Sequence, residues 1–230
     1  MRMINAIKAD VKFQFRQGFY VVYAILTLIY MLVIHQIPES MKISVVPLVI
    51  YCDPTIVGFF FIGGIIMLEK NQGILDYLIV TPLRPKEYLM GKIISLTILA
   101  VIASIVITIT TYGGEINWML FILSVIISSF FFTLYGFFVA AKSKSINEYF
   151  IKMIPYVLFI AVPCFSFLIN MPHHWVFNIF PSVAGLKLIY GSFFEINSIE
   201  MILNLLYLSI ITVFCFFHVE KKIFGGVTGE

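Results

Sequence analysis

The chain has 230 residues, of which 61% are hydrophobic and only 12% charged, with a mean hydropathy of +1.03. Soluble domains carry about a quarter charged residues, so this composition excludes a water-soluble protein, and the net charge of +3 is too small to mark a nucleic-acid binder. With roughly 20 apolar residues needed per membrane crossing, the length accommodates six helices on short loops and leaves no room for a separate globular domain, so any ATP-hydrolysing part belongs to another chain.

Residues 1–17 are too charged to span, yet Ile4, Ile7, Val11 and Phe15 share one helical stripe, with Lys8, Lys12 and Arg16 along its flank. That spacing predicts an interfacial amphipathic helix; a solvated basic tail is the plainer alternative. No small-residue cleavage pattern follows the first apolar run, so no removable signal peptide is expected. Apolar runs then predict membrane spans at residues 18–37, 43–68 (interrupted only by Asp53), 93–112, 118–141, 153–169 and 201–219. Between the fifth and sixth, residues 170–200 form a long loop with Pro172 and Pro181, whose apolar pieces at 175–180 and 183–194 are too short to cross. They read as external half-helices dipping into the outer leaflet against protein, because irregular backbone cannot face lipid. The expected fold is all-α and integral to the membrane.

Charge placement orients it. Thirteen of the fifteen Lys and Arg fall on one side of these spans and only Lys42 and Lys187 on the other. The positive-inside rule therefore puts both termini in the cytoplasm of a multi-pass protein of the plasma or inner membrane, with lipid as its surroundings.

Candidate chemistry is sparse. Cys52, Cys164 and Cys215 are odd in number and lie in apolar runs, which suits packing rather than disulfides. No His/Cys/Asp/Glu cluster has metal-ligand spacing and no nucleophile stands with a base, so this chain is expected to be no enzyme and to hold no metal. Residues 136–143 approach the phosphate-cradling G-x-x-x-x-G-K-[ST], but Ala141 replaces the second glycine and the segment ends a membrane helix with no strand before it. The Phe-rich stretch 130–138, with Tyr112, Trp118 and Tyr135, reads as lipid-facing or interfacial-belt residues rather than a drug-stacking surface. Asp53 lies about 23 Å outward from Glu69 at 1.5 Å per residue, in the outer part of the bilayer. A carboxylate costs up to roughly 3 kcal/mol at the membrane centre, so Asp53 should face protein or a water-filled cavity. Two readings stay open: an outer-gate or translocation-path group close to Lys187, or a cap for the helix beginning at Pro54.

The informative segment is the cytoplasmic loop 69–92. Ile74, Leu75, Leu78 and Ile79 form an apolar stripe with Gln72 and Asp76 opposite, which predicts a short amphipathic helix along the membrane surface. Thr81 and Pro82 end it, and Pro85 suits the first turn of the next helix, with Glu87 near that helix's positive end.

This loop resembles that of the ABC-2 family of transporter permeases. The resemblance is carried by Glu69, Gly73, Leu75, Thr81, Pro82, Leu83, Glu87, Gly91 and Lys92, while Asp53-Pro54-Thr55 and Gly58-Phe59-Phe60 are similar to the family's drug-export branch. It departs at Arg84, where a helix-capping Ser or Thr would be expected. The resemblance implies a type V exporter-like fold, a dimer with a second copy or a similar permease, and a separate ATP-binding cassette subunit docking on the short helix. ATP and Mg would then lie in that partner, with no cofactor in this chain. Coupling to the ATPase would fall to Glu69, Gly73, Leu75, Asp76, Tyr77, Thr81, Pro82, Glu87 and Lys92. The implied function is export of a hydrophobic or amphipathic substrate such as a drug or antibiotic. The alternative is a small secondary transporter, channel or membrane sensor not linked to ATP. Against the secondary transporter, Asp53 has no counterpart in the second half of the chain.

Overall fold

A computed structural model of the chain describes residues 2–73, 84–168, 174–194 and 197–224. Its helices are α1 (Arg2–Arg16), α2 (Phe19–His35), α3 (Glu39–Cys52), α4 (Val57–Asn71), α5 (Pro85–Thr111), α6 (Trp118–Ala140), α7 (Ile146–Leu168), α8 (Pro181–Phe193) and α9 (Ser198–Phe224), with a 3-10 turn at His174–Ile179. No strand occurs among the described residues. Among the described residues five segments are long and apolar enough to cross a membrane, and six if the bent pair α1–α2 counts as one crossing. The described residues are those of an all-helical membrane protein.

Local chemistry sets the breaks. Gly18 adopts φ +81, the left-handed conformation that glycine reaches without steric cost, and α1 and α2 meet there at 68°. The apolar run through Asp53 is two helices and not one, because Pro54 has no N–H to continue the ladder. The freed backbone groups are satisfied on the spot: Thr55 N and Oγ1 donate to Ile50 O at 3.1 and 2.9 Å, and Ile56 N and Val57 N donate to Asp53 O at 3.0 and 2.8 Å. Together α3 and α4 make one broken crossing of 33 residues, Glu39–Asn71. Helix α4 stops at Gly73, whose φ of +69 lets its N–H reach Lys70 O at 3.1 Å. At the start of α5, Glu87 reaches back to accept the Arg84 N–H at 2.9 Å, with Pro85 in the first helical position. Glu87 thus supplies the return half of a cap, accepting the Arg84 N–H in the absence of a Ser or Thr side chain there.

Helix α6 is the hub, packing on α4, α5, α8 and α9. A Cβ on Gly58 would fall 1.9 Å from Thr133 Oγ1 and one on Gly136 2.8 Å from Phe59 O, so the α4 and α6 backbones approach to contact. This close approach corrects the lipid-facing expectation for the Phe-rich stretch. Phe131, Phe132 and Phe137 are buried, Phe132 packs edge-on to Tyr51 at 5.8 Å, and Tyr135 stacks on Phe59 at 5.8 Å. By contrast α7 and α9 bury only 17% of their apolar windows and face outward.

Lys86 lies 3.7 Å from Glu220, which brings the start of α5 and the end of α9 to one basic end of the bundle. Helix α8 hangs from the other end. Its C-terminal part is tied there by Tyr190 OH donating to Ser44 O at 2.9 Å and by Asn117 N donating to Ser192 O at 2.9 Å. Its N-terminal part meets Tyr51, whose hydroxyl donates to Ser182 O at 2.6 Å. Ten residues of helix between Ser182 and Ser192 are about 15 Å long.

Candidate functional site

An apolar chain must pair the few charges it buries. At the basic end Lys92, in the second turn of α5 and 0% exposed, places Nζ 2.5 Å from Glu69 Oε1 on α4 and 2.8 Å from Asp10 Oδ1 on α1. Tyr88 OH donates to Glu69 Oε2 at 2.7 Å, and its ring lies 4.7 Å from the ammonium. One turn further, Gln14 Nε2 donates to Ser95 Oγ at 2.6 Å, and Ser95 Oγ to Lys92 O at 3.0 Å. A Cβ on Gly91 would fall 2.8 Å from Asp10 Oδ2, so glycine is what lets α1 close on α5. Three helices are clamped by one cation between two acids. Burial pushes the Asp10 carboxyl above its ordinary value; Lys92 opposes the rise and Glu69 adds to it.

The sequence singled out Glu69, Gly91 and Lys92 but missed Asp10, Gln14 and Tyr88. Helix α1 turns its polar Asp10 and Gln14 inward, while Ile4 and Phe15 of the anticipated stripe are 55% and 67% exposed. The available signal was the i, i+4 spacing of Asp10 and Gln14 beside a strongly apolar chain.

The other anticipated site residues are scattered. Leu75, Asp76, Tyr77, Thr81 and Pro82, with the surface helix they were to form, lie outside the described residues. Gly73 stops α4 and Glu87 caps α5. Asp53 accepts from Tyr23 OH at 2.8 Å and also faces Tyr30, both on α2. Lys187 is bridged to Glu200 at 2.7 Å. No side chain caps α4, so the capping role for the Asp53 carboxylate is corrected. Counting from Glu39, Asp53 lies about 21 Å along Glu39–Asn71.

Beside the break between α3 and α4 opens an apolar cavity of about 220 Å³. Tyr51, Cys52, Ile56 and Phe60 form one wall, and Ile160 and Cys164 of α7 the other. Sequence reasoning named the break but not the cavity, because a wall shared with α7 has no signature in either helix. Cys52, Cys164 and Cys215 are all free thiols. Among the described residues no group of three or more His, Cys, Asp or Glu is placed to hold a metal.

A model of the fluoroquinolones export permease protein family matches residues 1–226. The chain belongs to this family. Among its relatives are two proteins of Mycobacterium tuberculosis, from strains CDC 1551 / Oshkosh and ATCC 25618 / H37Rv, each named a fluoroquinolones export permease protein. Each is 25% identical over 197 residues, covering 85% of this chain and 83% of the relative. The family match runs through every helix of this export permease, so the ionic clamp at one end and the cavity at the α3–α4 break both fall within it.

Proposed function

We propose that this permease is the membrane subunit of an ATP-driven exporter of fluoroquinolone-class drugs. The observation that carries the drug reading is the family match over residues 1–226. The ATP-linked part rests on the resemblance of the 69–92 loop to ABC-2 permeases, with ATP and Mg held by a separate ATP-binding cassette subunit. That subunit would dock on the loop at the cytoplasmic end, where both termini are expected. The clamp suits such a role. A partner moving the loop would pull on Glu69 and Lys92 together, and buried, hydrogen-bonded charges hold α1, α4 and α5 as one body rather than letting them slip. A second copy, or a similar permease, would cover part of the outward faces of α7 and α9.

The test is drug accumulation, read by the intrinsic fluorescence of a fluoroquinolone, in cells expressing the chain with its ATP-binding subunit. Accumulation is expected to fall, and a partner variant lacking its P-loop lysine should restore it. If export survives that variant and instead collapses when the proton gradient is dissipated, the ATP-driven reading is wrong and a secondary transporter takes its place.

A further inference from the structure

Helix α1 has two sides of different chemistry. Its one acid, Asp10, and its Gln14 point into the bundle, where Lys92 and Ser95 hold them. The outward side is left without negative charge. Lys8, Lys12 and Arg16 follow one another there at i, i+4 and i+8, all exposed, and among the described residues none has an acid within 4 Å. Ile4 and Phe15 are exposed on the same side. At 3.6 residues per turn both project within about 40° of Lys8, while Lys12 and Arg16 continue the basic strip away from them. Ile7 and Val11 of the anticipated stripe are half-buried, so this face is a narrow apolar edge beside a row of three cations.

We propose that the outward face of α1 is a docking surface for anionic lipid, with Ile4 and Phe15 entering the acyl boundary while Lys8, Lys12 and Arg16 bind the phosphates of negatively charged headgroups. Geometry and charge select that partner together. Helix α1 turns 68° from α2 at Gly18, so with α2 in the bilayer it runs nearer the membrane plane than its normal. An apolar edge beside a basic strip on such a helix fits a lipid surface. A cation close to an anionic surface gains about fivefold in affinity, so three give about a hundredfold. Zwitterionic headgroups, whose phosphate is balanced by their own ammonium, offer no such gain. The clamp completes the surface from behind, because an acid left on the outward side would pair with these cations at i, i+3 or i, i+4 and cancel part of their charge. Lipid on one side and the clamp on the other then hold the same helix, so anionic lipid should stabilise the seat of α1 on α4 and α5.

The experiment is native mass spectrometry of the purified full-length chain in mild detergent, with phosphatidylglycerol and phosphatidylcholine of identical acyl chains added in turn. The parent is expected to retain phosphatidylglycerol about tenfold or more over phosphatidylcholine. Lys8→Gln/Lys12→Gln/Arg16→Gln should lose most of that preference. Lys70→Gln/Lys142→Gln/Lys144→Gln, which removes three exposed cations outside α1, should keep most of it. Asn5→Glu with Ala9→Glu, at exposed positions of the same face, keeps every cation but sets an acid three residues before Lys8 and Lys12. It too should lower the preference, which separates lost lipid binding from a misfolded triple variant. In thermal unfolding, phosphatidylglycerol should raise the midpoint of the parent above its value in phosphatidylcholine and leave that of the α1 triple variant unchanged. No preference in the parent, or equal loss in the two triple variants, overturns the proposal. A preference that survives both α1 variants also overturns it, and if those variants release the proposed ATP-binding subunit the face is a protein dock instead.

Discussion

Lys92 neutralises two carboxylates at once, so its loss is not equivalent to the loss of either partner. Lys92→Met leaves Asp10 and Glu69 buried and facing each other, and breaking a buried ion pair from one side costs about 3–5 kcal/mol. Asp10→Asn leaves the Glu69–Lys92 pair intact and removes the surplus negative charge, so its cost should be about 1 kcal/mol or less. Thermal unfolding in detergent should therefore rank Lys92→Met far below Asp10→Asn. The pH dependence has a definite sign. Because the folded Asp10 carboxyl is raised, its contribution favours the fold most at low pH and is lost as pH rises through the folded value. Acidification from neutral pH into the carboxylate range should stabilise the parent relative to Asp10→Asn, and a difference that widens in the opposite direction would show that the attraction of Lys92 outweighs burial at Asp10. Glu69 and Lys92 were legible because they belong to a recognisable loop. Asp10 was not, because an acid on a basic helix reads as solvated, and its partner lies 82 positions away with no periodicity to announce it.

The helix stops carry a different lesson. Gly73, one of the residues assigned to coupling, is also the left-handed stop of α4, and among the described residues a Cβ there would meet nothing within 4 Å. Within the described residues the constraint at Gly73 is therefore backbone conformation and not space. Gly73→Asn, which accepts left-handed φ, should keep substrate-stimulated ATP hydrolysis by the proposed ATP-binding subunit, whereas Gly73→Val should lose most of it at normal membrane insertion, since a β-branched residue there is a steric outlier. Equal activity of the two variants would show that the direction of the chain leaving α4 is unimportant for coupling. Elements were legible where an apolar run and a cap signal coincide, as at Pro85 and Glu87. They were less so at Asp53 and Pro54, where apolar residues continue across the break and the run looks like a single helix. The prolines Pro155 and Pro163 show the converse, since α7 continues through both.

Across the whole molecule, hydropathy made the helices visible, because each must satisfy its backbone internally in lipid whatever its neighbours are. Which faces pack was not visible: lipid-facing and core residues are equally apolar, and only the close approach at Gly58 and Gly136 decides that α6 lies at the centre. Orientation follows from charge and can be checked directly. All three native cysteines are free, so a cysteine-free background is open to construction. Single cysteines at Lys86 and Lys144 should react only with reagent reaching the cytoplasm, and one at Gly114 only with external reagent. External labelling at Lys86 would invert the topology.

The long reach of the clamp also bears on how the chain is made. Synthesis proceeds from the N-terminus, so α1 and α2 emerge well before Lys92 is polymerised, and Asp10 and Gln14 then have no buried partner to receive them. Until α4 and α5 have entered the bilayer, α1 lacks the partners of its buried polar face, and an amphipathic helix in that position is expected to lie at the water boundary. The first helix translated is thus among the last to reach its final seat, and its docking marks that the clamp ends of α4 and α5 have come together in register.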